Sequence, residues 1–130
     1  METKCTYVAL QVRDIERSIS FYLEYCGMHI LQEHADDFRV VWMGWDEQPP
    51  RFAIVLLDTP YDFAHHPPHQ HIGMVVSTHE EVDAIYARAT ANGISKVWPP
   101  TEGGPIVERF CGIADPDGNM VAFSYGPRLG

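Results

Sequence analysis

The amino-acid sequence predicts an α+β fold in which two βαβββ modules form a curved mixed sheet around a groove. Three observations carry this prediction. The strand-like run Y-V-A-L-Q-V, Tyr7 to Val12, has a counterpart in H-I-G-M-V-V, His71 to Val76, and the two openings lie 64 residues apart in a chain of 130. Each run leads into a capping residue, an apolar stripe at helical spacing and a glycine stop. Each helical stretch is then followed by three further strand-like runs.

In the first half, Asp14 offers a carboxylate to the free amides of a first helical turn. Ile15, Ile19, Tyr22, Leu23 and Cys26 form the apolar stripe, and Gly27 ends it. Strands follow at Met28 to His34, Phe38 to Met43 and Phe52 to Leu57, with Asp36-Asp37 marking a turn. In the second half Thr78 is the cap, and Glu81 three residues on suits a capping box. Val82, Ile85, Tyr86 and Ala89 make the stripe, and Asn92-Gly93 ends the helix. Strands follow at Ile94 to Trp98, Val107 to Ala114 and Met120 to Tyr125. Asp115-Pro116-Asp117-Gly118 is strong turn chemistry, because proline fixes φ and glycine accepts positive φ. Thr59 to Gln70 and the Pro- and Gly-rich Pro99 to Pro105 read as loops. Residues 1–130 read as one domain, with module one at about 5–58 and module two at about 70–126.

Composition removes several classes of function. Hydrophobic residues make up 45% and charged residues 21%, which excludes wholesale disorder. No apolar run approaches the ~20 residues that span a bilayer, so no membrane partner is expected. Nine Lys and Arg against eighteen Asp and Glu give a formal charge of −9. A surface that tracks phosphates needs clustered basic residues, so nucleic acid is not an expected partner. The acidity serves solubility or favours a cationic ligand. Cys5, Cys26 and Cys111 are an odd count without C-x-x-C, which points to buried thiols in a reducing compartment. With no basic region leading into an apolar stretch at the start, a cytoplasmic location is expected.

V-A-L-Q-V-R-D-I-E-R-S-I-S-F-Y, followed by G-M-H-I, resembles the first module of the vicinal oxygen chelate superfamily. That group includes glyoxalase I, extradiol dioxygenases, and bleomycin and fosfomycin resistance proteins. H-I-G-M-V-V resembles its second module, and D-P-D-G-N-M-V-A-F-S-Y-G its final hairpin. V-W-P-P-T-E-G-G-P is similar to bacterial glyoxalase-like proteins. The resemblance implies the glyoxalase/bleomycin resistance/dioxygenase fold, a homodimer and a small-molecule ligand in the groove. In metal-using members a His opens the first strand of a module and a Glu sits on its last. The corresponding positions here hold Tyr7, Val55, His71 and Ala122. Val and Ala cannot donate to a metal, and a phenol is a poor ligand unless ionised. A catalytic divalent site usually needs about three protein ligands. No resident cofactor is therefore expected, although a divalent metal at His71 stays open.

His71 is either the retained ligand, an acid/base group, or a histidine of the groove wall. Tyr7 either donates its hydroxyl to a ligand oxygen or is an ordinary strand aromatic. Trp42, Trp45, Trp98 and Phe110 can line a stacking pocket or pack the core. His65, His66, His69 and His71 stand in H-H-P-P-H-Q-H, either a metal cluster or a solvated loop. Gly103-Gly104 lacks the Lys and Ser/Thr of a phosphate loop. Glu102 and Glu108 flank that loop as candidate general bases.

Tyr7, His71, Trp42 and Phe110 are thus the expected ligand-binding set, with Tyr7 and His71 the candidates for any catalysis. The expected function is binding of, or action on, a small molecule with the family metal site altered or absent. The alternatives are a metal-dependent lyase or isomerase of glyoxalase type, or a ring-cleaving dioxygenase, using His71 with non-standard ligands. Acid/base catalysis without a metal is a third.

Overall fold

The computed structural model describes residues 5–65, 70–104 and 106–126. The chain divides into two compact units, Met1–His65 and His66–Gly130. The first contains β1 (Tyr7–Gln11), α1 (Ile15–Cys26), β2 (His29–Ala35), β3 (Arg39–Gly44) and β4 (Ala53–Leu57). The second repeats the order with β5 (His71–Val75), α2 (His79–Ala91), β6 (Val97–Glu102), β7 (Arg109–Ala114) and β8 (Met120–Tyr125). The strand orders are β1-β4-β3-β2 and β5-β8-β7-β6. In each unit the first and last strands run parallel and the other pairs antiparallel. This is the predicted pair of βαβββ modules.

The caps form where the sequence places them. Asp14 accepts from the Arg17 amide, and Gly27 takes a left-handed φ of 65° while its N–H reaches Leu23 O. Thr78 Oγ1 accepts from the Glu81 amide, 3.1 Å, and its hydroxyl faces Glu81 Oε1 at 3.4 Å.

Each helix covers one face of its sheet. Leu10, Val12, Tyr22, Met28, Val41, Met43, Ile54 and Leu56 are buried in the first unit. Met74, Val82, Ala89, Cys111, Ile113, Val121 and Phe123 are their counterparts in the second. Alternation along the strands does the sorting, since neighbouring residues point to opposite faces.

Two expectations need correction. Pro99 to Pro105 is not all loop, because β6 runs through Pro99 and Pro100 to Glu102 and begins at Val97, not Ile94. Its register steps from Trp98↔Gly112 to Thr101↔Phe110, so β6 carries one extra residue where the prolines stand. β6 is an edge strand, and a bulge at an edge is where prolines lack no ladder partner. The third strand of the second module likewise starts at Arg109, not Val107.

Burial pushes the Cys26 thiol up to about 12 and the Cys111 thiol up to about 11, where Asp83 adds to the rise and Arg109 opposes it. A folded thiol that holds its proton above the ordinary value of 9.0 favours the fold fully below that pH. Unfolded chains then release protons first as pH rises, so this stabilisation drains away from about pH 9 towards 11–12. The expected result is a urea midpoint that falls across that window, with a shallower fall in Cys26→Ala. Parallel pH profiles for the two proteins would show that Cys26 is not the linked group.

Candidate functional site

The faces turned away from the helices carry the candidate residues. On β3, Arg39 pairs with Glu16 of α1, and just beyond the strand Trp45 Nε1 donates to Cys26 O at 2.8 Å. The odd-numbered side thus faces α1, and Val40, Trp42 and Gly44 face the other way. Residues paired across strands share a face. Trp42 pairs with Val55, Val55 with Ala9, and Tyr7 with Ala53, which places Tyr7, Trp42 and Val55 together. In the second unit, Arg109 Nε donates to Asp83 at 2.9 Å and Cys111 Sγ lies 3.5 Å from Val82 O, both on α2. Phe110 and Gly112 therefore face away from α2, together with Ala122, Gly73 and His71.

On the first of these faces Tyr7 is 52% exposed and its ring centroid lies 5.1 Å from that of Trp42, tilted by 54°. The pair borders a cavity of about 310 Å³. Gln32, Phe52, Thr6 and Leu31 complete most of its wall. Leu31 reaches this face because β2 bulges between Ile30 and Gln32. Gly44 makes room for it, since a Cβ there would come within 2.6 Å of Leu31 Cδ1. Gln32, Phe52 and Leu31 are cavity-wall residues that the sequence alone did not single out. A bulge adds one residue to a strand, and strand alternation cannot foresee it.

The second face repeats the theme with different parts. His71 meets Trp98 edge to face, with ring centroids 4.9 Å apart. Ala9 and Gly73 each pair with the residue two beyond the start of their unit's last strand, so Val55 and Ala122 are equivalent. Trp42 and Gly112 are then equivalent too. In module one the indole grows from the central strand. In module two that position is glycine, and the indole of Trp98 comes from the edge strand to lie over it. A Cβ on Gly112 would sit 2.4 Å from Trp98 Cε3. Trp98 is thus the partner of His71, a contact that the strand pattern did not reveal. Phe110 is half-buried two residues away on the same face.

The donor set at the four positions does not fit a metal. Val55 and Ala122 are hydrocarbon side chains, 3% and 4% exposed, and no register shift brings a carboxylate to either place. His71 offers one imidazole and Tyr7 one phenol. Among the described residues no group of three or more His, Cys, Asp or Glu side chains converges.

The remaining candidates are engaged elsewhere. His65 Nδ1 pairs with Asp62 Oδ2 at 2.7 Å, while His66 and His69 lie outside the described residues. Glu102 accepts from Arg109 Nη1 at 2.8 Å, and Glu108 lies 3.3 Å from His79 Nε2. The carboxylates of Asp83 and Glu102 hold the Arg109 guanidinium charged, the Asp83 hydrogen bond most strongly. Arg39 is held likewise by Glu16 first and Glu33 second. Gly103 serves the backbone, because a Cβ there would fall 2.0 Å from Val107 O. Trp45 is tied to the end of α1 and takes no part in the cavity wall.

The family profile described as the Glyoxalase/Bleomycin resistance protein/Dioxygenase superfamily matches residues 4–123. An uncharacterized protein of Pseudomonas aeruginosa is 35% identical over 133 residues, covering 100% of this chain and 94% of its own. A probable lactoylglutathione lyase of Vibrio parahaemolyticus is 28% identical over 127 residues, covering 88% of this chain and 85% of its own. Among solved structures, the genomically encoded fosfomycin resistance protein of Listeria monocytogenes superposes with a TM-score of 0.75 at 16% identity, over 99% of this chain and 100% of that one. The paired βαβββ modules and the profile match lead to one conclusion: this chain belongs to the glyoxalase/bleomycin resistance/dioxygenase superfamily.

Proposed function

We propose that the protein binds a small molecule on the helix-free faces of its sheets, using side-chain hydrogen bonds and aromatic surface in place of a chelated metal. One observation carries the reading: the positions where metal-using members place carboxylates hold Val55 and Ala122, beside the aromatic pairs Tyr7–Trp42 and His71–Trp98. On the first sheet Tyr7 supplies a hydroxyl donor to a ligand carbonyl and Trp42 covers apolar surface beside it. On the second sheet His71 supplies a polar contact, with Trp98 and Phe110 as the aromatic surface. Aromatic rings give large contact area at small cost in side-chain freedom.

The test is a thermal-shift screen of small molecules followed by calorimetry of the first binder. Tyr7→Phe removes a donor and keeps the shape, and should weaken binding by about 0.5–1.5 kcal/mol. His71→Ala removes volume as well as polarity and should weaken a ligand held on the second sheet by more than that. Unchanged affinity in both variants would remove these residues from the site.

A second reading has one observation in its favour, the 28% identity to a relative named as a probable lactoylglutathione lyase. That activity would require ligands for a metal from outside the four family positions. Conversion of a 2-oxoaldehyde–glutathione adduct that depends on added divalent metal would favour it over the first.

A further inference from the structure

We infer that the ligand of the module-one cavity is an uncharged, planar aromatic molecule of one or two fused rings carrying an amide or similar neutral polar group. The inference rests on the small-molecule reading above and narrows it to a chemical class.

Size comes first. The cavity holds about 310 Å³. That lies at the bottom of the roughly 300–1,000 Å³ range of small-molecule sites. It suits a compact ligand and leaves little room for a peptide or a long conjugate.

Shape comes next. Tyr7, Trp42 and Phe52 bring three aromatic side chains to one cavity. Tyr7 and Trp42 are tilted to one another, and Tyr7 keeps half its surface open. Such rings pack best against another flat ring, offset or edge-on. An aliphatic ligand would fill the space without that match.

Charge decides the class. Among the described residues no Asp, Glu, Lys, Arg or His lines the cavity. Among them an ammonium ligand would meet no carboxylate there, and a carboxylate ligand would meet no cation. Burying an unpaired charge is costly, whereas a neutral amide needs only hydrogen bonds. The formal charge of −9 further disfavours anions. Gln32 stands on the same face as Trp42, its strand partner, and offers both an amide donor and an amide acceptor. Thr6 adds a hydroxyl. These groups recognise a neutral donor–acceptor pair.

The experiment uses three isosteric probes: naphthalene-2-carboxamide, naphthalene-2-carboxylate and naphthalene-2-carboxamidinium. Each is titrated into the full chain, with calorimetry for affinity and the indole N–H resonances of Trp42, Trp45 and Trp98 for location. The carboxamide should bind at least tenfold more tightly than either charged probe. It should shift Trp42 and leave Trp45, which is bonded to Cys26 O, in place. Tyr7→Ala and Gln32→Ala should each weaken the carboxamide severalfold, and Trp42→Phe, which keeps a ring, should weaken it less than Trp42→Ala. A charged probe that binds as tightly through Tyr7 and Trp42 overturns the ligand class while leaving the small-molecule reading standing. Failure of all three to move Trp42 at millimolar concentration overturns the class and removes this cavity from the parent reading. Binding that ignores Tyr7→Ala and Trp42→Ala places the probes elsewhere and overturns the inference as well.

Discussion

Asp115→Ala should destabilise the protein more than any change at the candidate site. The Asp115 side chain is 4% exposed and closes the turn between β7 and β8. Its Oδ1 accepts from the amides of Asp117, 3.0 Å, and Asn119, 2.9 Å, and its Oδ2 accepts from Asn119 Nδ2 at 3.0 Å. Alanine would strip the acceptor from three donors in a buried turn. Each unsatisfied buried donor costs about 1–3 kcal/mol, so a total loss of roughly 3 kcal/mol or more is expected, less whatever water can repay. The loss would reach the helix-free face of that sheet, because this turn sets the β7–β8 register that places Ala122 beside Gly112. Urea denaturation is the measurement, and Asp115→Asn, which retains one acceptor oxygen, should lose less. Equal midpoints for wild type and Asp115→Ala would mean that the turn holds itself through its backbone alone.

Gly112→Ala should cost about 1–3 kcal/mol through overpacking. The added methyl would meet Trp98 Cε3 at 2.4 Å and Cδ2 at 2.9 Å, with Met120 Cε 3.2 Å away. An indole is rigid and cannot bend at the point of contact, so the whole ring must move and its edge contact with His71 must open. Gly44→Ala is the instructive contrast. There the nearest atom is Leu31 Cδ1, the end of a flexible side chain, although Phe52 O at 3.0 Å limits the relief. The smaller loss is expected at Gly44. Adding Trp98→Ala to Gly112→Ala removes the clash, so the two changes should be non-additive in a double-mutant cycle. Additive costs would show that Trp98 does not lie over Gly112 in solution.

Much of the fold was legible because its signals are local. Asp14, Gly27, Thr78 and Gly93 act within one turn of the chain, and the strand-helix grammar repeats in both halves. Two of the misreadings share one physical cause, a bulge in an edge strand. Pro99 and Pro100 look like loop residues, yet an edge strand with a bulge accommodates them. Leu31 likewise reaches the cavity only through a bulge. The placement of Tyr7 with Trp42, and of His71 with Phe110, on helix-free sheet faces was legible because strand faces alternate predictably. Trp98 as the partner of His71 was not, because it depends on an indole from one strand filling the space above a glycine on the next. Such exchange between strands leaves no trace in spacing along the chain.

By the same equivalence Val55 and Ala122 leave the family metal position without its carboxylates, and in the proposed function side chains hold the ligand instead. Elemental analysis tests it most directly, on protein purified without a histidine tag from medium containing iron, manganese, nickel and zinc. Metal far below stoichiometric is the expected result, in wild type and His71→Ala alike. About one metal ion per chain, lost in His71→Ala and kept when His65, His66 and His69 are replaced, would contradict it.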